Sequence, residues 1–230
     1  MKLHVHRSGA GDKTALLIHG GMADHRTWHA VEGALVARGY QVVAPDLRGH
    51  GHSARGEYRP DLIADDLVEN LPSGADVAIG HSIGGLVLAL AADRLQPRRA
   101  IYSDPAFRLR GLPPEALEMM RAMVDMATAE LIRQANPRWS ERDIEVELAA
   151  GVLFDRDFLT AVASFPDDYV PDKAVVPSLV QIAEDSLTIF GTTRDLLIER
   201  GFEVRVVQGT AHCIHRDDLA AFMDSLTGWI

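Results

Sequence analysis

Apolar and polar positions change period repeatedly along this chain. Short aliphatic runs at Leu3–His6, Ala15–Ile18, Gln41–Ala44, Asp76–Ile79, Ala100–Ser103, Ser178–Ile182 and Glu203–Val207 read as strands, because each is brief and closes on glycine, proline or polar residues. Longer stretches at Arg26–Arg38, Leu62–Asn70, Ile83–Leu95, Thr192–Arg200 and Asp217–Leu226 repeat apolar residues at helical spacing. Strand and helix in alternation predict an α/β fold, a mostly parallel sheet with helices on both faces. In such sheets ligands collect at the carboxyl ends of the strands.

The rhythm breaks between Phe107 and Lys173, where no strand pattern occurs. "PPEALEMMRAMVDMATAELIRQA" opens on proline and continues at helical spacing, and "SERDIEVELAAGVLF" has a serine three residues before Asp143, close to a capping box. The pattern predicts a core domain of residues 1–106 and 174–230, with a helical cap at 107–173. Four methionines on the cap, Met119, Met120, Met123 and Met126, suit either core packing or a pliable pocket wall.

Composition narrows the classes of function. A chain of 230 residues can bury a sizeable core, and its net charge of −10 argues against a nucleic-acid partner. The single cysteine, Cys213, leaves no internal disulfide and fits a reducing compartment. The first residues carry no apolar leader pattern, and the longest apolar run, Leu86 to Ala92, is too short to span a bilayer. The expectation is a cytoplasmic protein with no membrane partner.

The chemistry concentrates at strand ends. "GHSIG", Gly80 to Gly84, fits G-x-S-x-G between a predicted strand and a predicted helix. A serine on that turn is raised above the sheet edge at a helix N-terminus, with small neighbours to admit the strained backbone. Serine needs a base. His212 follows the last strand, with His215 a competitor three residues on that better suits the start of the final helix. "HGG" at His19–Gly21 ends another strand, and there the amides of Gly21 and Ile83 are expected to form an oxyanion hole.

Together "HGG" at His19–Gly21, "DLRGHGHS" at Asp46–Ser53, "GHSIGG" at Gly80–Gly85 and "GTAHCIHRDD" at Gly209–Asp218 resemble the α/β-hydrolase fold superfamily. The resemblance covers nearly all of the chain outside the cap. It implies an eight-stranded sheet, a Ser-His-acid triad of Ser82, His212 and a carboxylate, a helical cap, and no cofactor or metal. Arg48 to His52 are taken as tying down a turn.

The acid departs from the commonest family pattern. Asp185 arrives almost at once after the strand at Ser178–Ile182, without a preceding glycine, whereas Asp104 ends the strand Ala100–Ser103 just before Pro105. The latter placement is similar to that in haloalkane dehalogenases and fungal zearalenone lactonases, and Pro177 to Phe222 faintly resembles those lactonases. Asp104 is favoured, with Asp185 the alternative. The implied activity is hydrolysis of a hydrophobic small-molecule ester or lactone through an acyl-enzyme, with His25, Trp28, Met123 and Tyr169 as substrate-binding candidates. Carbon–carbon bond hydrolysis, acyl transfer, perhydrolysis, cofactor-free oxygenation or a catalytically silent ligand receptor remain alternatives on this scaffold.

Overall fold

The structure, a computed structural model, describes residues 1–109, 114–165, 168–186 and 188–230. The chain runs through β1 (Val5–Ser8), β2 (Lys13–Ile18), a 3-10 turn (His25–Trp28), α1 (His29–Val36), β3 (Tyr40–Pro45), α2 (Pro60–Asn70), β4 (Val77–His81), α3 (Ile83–Leu95) and β5 (Ala100–Ser103). It continues through α4 (Pro114–Asp125), α5 (Ala129–Ala135), α6 (Glu141–Leu153), α7 (Asp157–Ala163), β6 (Ser178–Ala183), α8 (Thr193–Glu199), β7 (Glu203–Val207), α9 (Ile214–Asp217) and α10 (Leu219–Ser225).

The strands form a sheet in the order β1-β3-β2-β4-β5-β6-β7, with β1 antiparallel to β3 and the other pairs parallel. The eight strands expected from the family resemblance are therefore seven among the described residues. Outside β1, where a further edge strand would lie, the preceding residues instead dock on α2: the Met1 amino group contacts Asp66, and the Leu3 amide donates to Asn70 Oδ1 at 3.0 Å. The first predicted strand also moves two residues, to Val5–Ser8, since Met1 and Leu3 are bonded to α2 and only the chain beyond them pairs with β3.

Alternation along the strands loads both faces. On β2, Leu16 and Ile18 join a large cluster with α2 and α3, while Ala15 and Leu17 face Trp28, α1 and Phe222. A sheet covered on both sides explains why its strands read as continuous apolar runs. The last predicted helix starts two residues later, at Leu219, and a short α9 precedes it: Asp218 has an extended backbone that ends α9, and its carboxylate accepts from the Ala221 amide to start α10.

Between β5 and β6 the described residues hold four helices and no strand, as the loss of period-two patterning predicts. Ser140 and Asp143 make the reciprocal bonds of a capping box at the start of α6, and the Thr128 side chain accepts from the Leu131 amide at the start of α5. Phe154, Phe158, Leu159 and Val162 bury themselves in the main core cluster, whereas Met119, Met123 and Met126 are exposed. No helix among the described residues is long and apolar enough to cross a membrane.

Candidate active site

The turn after β4 has no room for side chains beyond the one it presents. A Cβ at Gly80 would stand 2.5 Å from the Gly84 carbonyl oxygen, and one at Gly84 would stand 2.3 Å from that of Ile18. Ser82 itself has φ 52° and ψ −119°, a region that non-glycine residues enter only when their surroundings hold them there. The hold comes from the neighbouring strand and from α3. The Ser82 amide donates to the Ser103 carbonyl at 3.1 Å, and the Ser82 carbonyl accepts from the amides of Gly85, Leu86 and Ala106. The hydroxyl is thus presented at the N-terminus of α3, where the helix favours negative charge.

His212 and Asp104 come together across 108 residues of chain: Nδ1 of His212 donates to Asp104 Oδ2 at 2.6 Å. Asp104 has φ 40°, and its amide donates to the Gln181 carbonyl, which turns the carboxylate toward the His212 loop. Its second oxygen accepts from the Ala183 amide at 3.2 Å. Burial alone would raise this carboxyl, but the hydrogen bond and charge of His212, with further bonds from Ser186 and Ala183, bring it below the usual carboxylate value. Asp185 is exposed at the end of β6, with its amide on the Thr210 carbonyl. His215 is buried instead, stacked 4.3 Å from Trp28, with burial holding it well below the ordinary histidine value.

The loop after β2 approaches the serine closely. A Cβ on Gly20 would stand 3.2 Å from Ser82 Cβ, and one on Gly21 would stand 3.9 Å from the Ile83 side chain. Two buried histidines set this loop. His19 accepts from the Leu47 amide at 2.9 Å through Nε2 and donates to the Gly20 carbonyl through Nδ1. His50 accepts from the Met22 amide at 3.3 Å through Nε2 and donates to the Arg48 carbonyl through Nδ1. Both bonding patterns require neutral rings, and burial supplies them, pushing His50 down to about 3 and lowering His19. The turn below is tied by Arg48, which reaches Asp66 Oδ2 at 2.6 Å and the Glu57 and Leu62 carbonyls.

The expected substrate-binding residues fare unevenly. His25 turns away to Asp46, with Nδ1 at 2.7 Å from Oδ1, and stacks on His6, because that buried carboxylate needs donors. Trp28 is fully buried against His215 and Phe222, in the core layer behind the sheet, so it serves packing. Met123 is exposed on α4, and Tyr169 is half-buried, its amide on the Phe107 carbonyl and its ring near Phe165.

Two residues near the site, one of them at a variable position of the serine motif, are not candidates on sequence grounds. His81, buried beside the serine, donates through Nε2 to the His212 carbonyl at 2.9 Å, since a carbonyl only accepts; burial first, and then His212, push it down to about 3. Phe158 of α7 lies 3.7 Å from where a Gly21 Cβ would be and meets His50 edge-on at 4.6 Å. The only sequence signal for either is position: one is the residue before the serine, the other an aromatic on the inserted helices.

Comparisons with known proteins bear on the fold and the family. An esterase of Mycobacterium tuberculosis is 38% identical over 93 residues, 37% of this chain and 30% of its own length. A lipase of the same organism is 34% identical over 151 residues, 61% of this chain and 57% of its own. The matched stretches thus span about a third to just over half of these curated relatives. Among solved structures, an N-formylmaleamic acid deformylase from Pseudomonas putida superposes with a TM-score of 0.80 at 24% identity, over 97% of this chain and 96% of its own, a likeness of fold. A family model described as "Alpha/beta hydrolase family" matches residues 15–224. By its fold, its serine turn and this match, the chain belongs to the alpha/beta hydrolase family.

Proposed function

We propose that this protein is a serine hydrolase that cleaves a carboxylic ester or lactone of a hydrophobic small molecule, in the cytoplasm, through an acyl-enzyme. The observation that carries the proposal is the 2.6 Å contact between His212 Nδ1 and Asp104, on a histidine whose loop is bonded to the serine-bearing turn through His81. With Nδ1–H engaged, the Nε2 lone pair of His212 is the available base.

In the proposed reaction, His212 takes the Ser82 hydroxyl proton as the oxygen attacks the substrate carbonyl. The amides of Gly21 and Ile83 receive the developing oxyanion, each worth about a hundredfold or more in rate. His212⁺, stabilised by Asp104, then returns the proton to the departing alkoxide. Water, deprotonated by the same histidine, hydrolyses the acyl-enzyme and regenerates Ser82. In this reading residues 107–173 form a cap, and Phe158 packs over the oxyanion loop as an apolar wall. The similarity to an esterase and a lipase supports the ester class.

The test is labelling with a fluorophosphonate, read by intact mass. A single adduct on the wild type that is absent in Ser82→Ala is the expected result. A folded wild-type protein that takes no adduct overturns the proposal in favour of a ligand receptor.

A further inference from the structure

A second cluster of reactive side chains lies apart from the serine, where the segment ahead of β1 meets the end of β3. A ring nitrogen of His4, one of His25 and a carboxylate oxygen of Asp46 all lie within 4.8 Å of one another. The ring centre of His4 is 5.4 Å from that of His25 and 5.3 Å from that of His52. Imidazole nitrogens bind zinc at about 2.0–2.1 Å, which puts the ring centres of two ligands on one ion about 5 Å apart. We propose that His4 and His25, oriented by Asp46 and flanked by His52, form a binding site for a divalent transition-metal ion of the zinc class.

The carboxylate has the place that such a site requires. Histidines that ligate metals commonly donate their other ring N–H to a carboxylate, which sets the tautomer and aims the ligating nitrogen. His25 does this already: its Nδ1 donates to Asp46 Oδ1 at 2.7 Å, leaving the Nε2 lone pair as ligand. Asp46 also accepts from the His25 amide at 2.9 Å and, through Oδ2, from the His52 amide at 2.9 Å. A Cβ at Gly51 would stand 2.3 Å from that oxygen, so the loop closes over the carboxylate only with glycine there.

The third segment is held as well. The His4 amide donates to Ser53 Oγ at 2.8 Å, while the His4 carbonyl accepts from the Asp46 amide. Two backbone amides, of His25 and His52, therefore converge on one buried carboxylate, His4 is bonded to the backbone of the same residue, and the rings of His4 and His52 stand exposed at the surface beside the half-buried His25. His6 lines the site without joining it, because it stacks on His25 at 4.9 Å and turns Nε2 to Glu32. Nitrogen donors without thiolate suit zinc, nickel or copper(II) over calcium or magnesium. A bound ion would cross-link the β1 edge to the His25 loop beside the oxyanion turn.

The experiment is calorimetric titration of the chelator-treated protein with ZnCl2 and, separately, NiCl2. One ion per chain is expected, with a dissociation constant in the micromolar range or tighter, weakened at least tenfold by His4→Ala and by His25→Ala. The His4 ring is exposed, so its removal leaves the packing intact, and melting in EDTA verifies that both variants fold. A wild type that takes up neither metal overturns the site. Equal uptake by wild type and the His4→Ala variant also overturns it, since the ion would then sit elsewhere.

Discussion

The sheet edge that carries Ser82 and the helices between β5 and β6 are built by different means. At the edge, backbone meets backbone. Gly80 and Gly84 have no space for a methyl group, and Ser82 and Asp104 are locked at positive φ by amide hydrogen bonds to carbonyls of adjoining strands. The inserted helices are held instead by a few side chains. Phe154 and Phe158 plug the core, the Asp155 amide donates to the Gly49 carbonyl at 2.8 Å, and Tyr58 donates to Asp155 at 2.6 Å. On the other side, Trp139 Nε1 donates to Asp217 Oδ1 at 3.0 Å, and Arg216 reaches Glu147 at 2.6 Å. The first region tolerates almost no change in shape, whereas the second can be remodelled provided its anchors stay.

The largest expected effect tests the rigid region. Asp104→Asn should lower kcat about ten-thousandfold by favouring the wrong histidine tautomer, while Asp185→Asn stays within about twofold. Ester turnover by both variants decides it, and near-normal rates for Asp104→Asn would remove the proposed acid.

Next comes the anchor of the inserted helices. Phe158→Ala should cost about 3–5 kcal/mol of stability, seen in urea melts, because a buried ring is lost beside His50 and Tyr58. Val152→Ser, at a position 79% exposed on α6, should stay within about 0.5 kcal/mol. Similar losses for the two would erase the distinction between anchor and surface.

A smaller, graded effect follows from the neutral histidines beneath the edge. His50 and His81 are each pushed from 6.5 down to about 3 in the folded protein. Below pH 6.5 the unfolded chain therefore binds protons that the folded one refuses, so this stability is complete above that pH and falls as acid is added toward pH 3. At pH 5 the loss is about 2 kcal/mol per histidine. Melting followed from pH 7.5 to 4.5 measures it, and a flat profile would show that these rings charge freely in the fold.

The contrast between the two regions also explains what could be read beforehand. Local constraints leave local marks: the glycines around Ser82 are steric necessities, so the serine turn and most strands are legible in the residues. Long-range choices leave none. Nothing near Asp104 or Asp185 tells which one His212 meets, apart from family resemblance, because the answer depends on where two distant loops land. Apolar spacing on α4 showed a helix but not which methionines would face water. Trp28 near a strand end suits cleft and core alike by its spacing, and His25 is drawn to Asp46, a partner 21 residues away that no local pattern announces.

The pairing of β4 with β5 sets His81 opposite Ser103, so Ser82 and Asp104 each stand one residue beyond the last paired rung. Their spacing is then a property of sheet geometry, about 4.8 Å from strand to strand, and owes nothing to the length of a loop. This makes the molecule modular: the serine and its proposed acid form one fixed chassis, against which the helical insertion and the segment after β6 can be exchanged. Substrate preference can drift in such a design while the reacting groups keep their alignment.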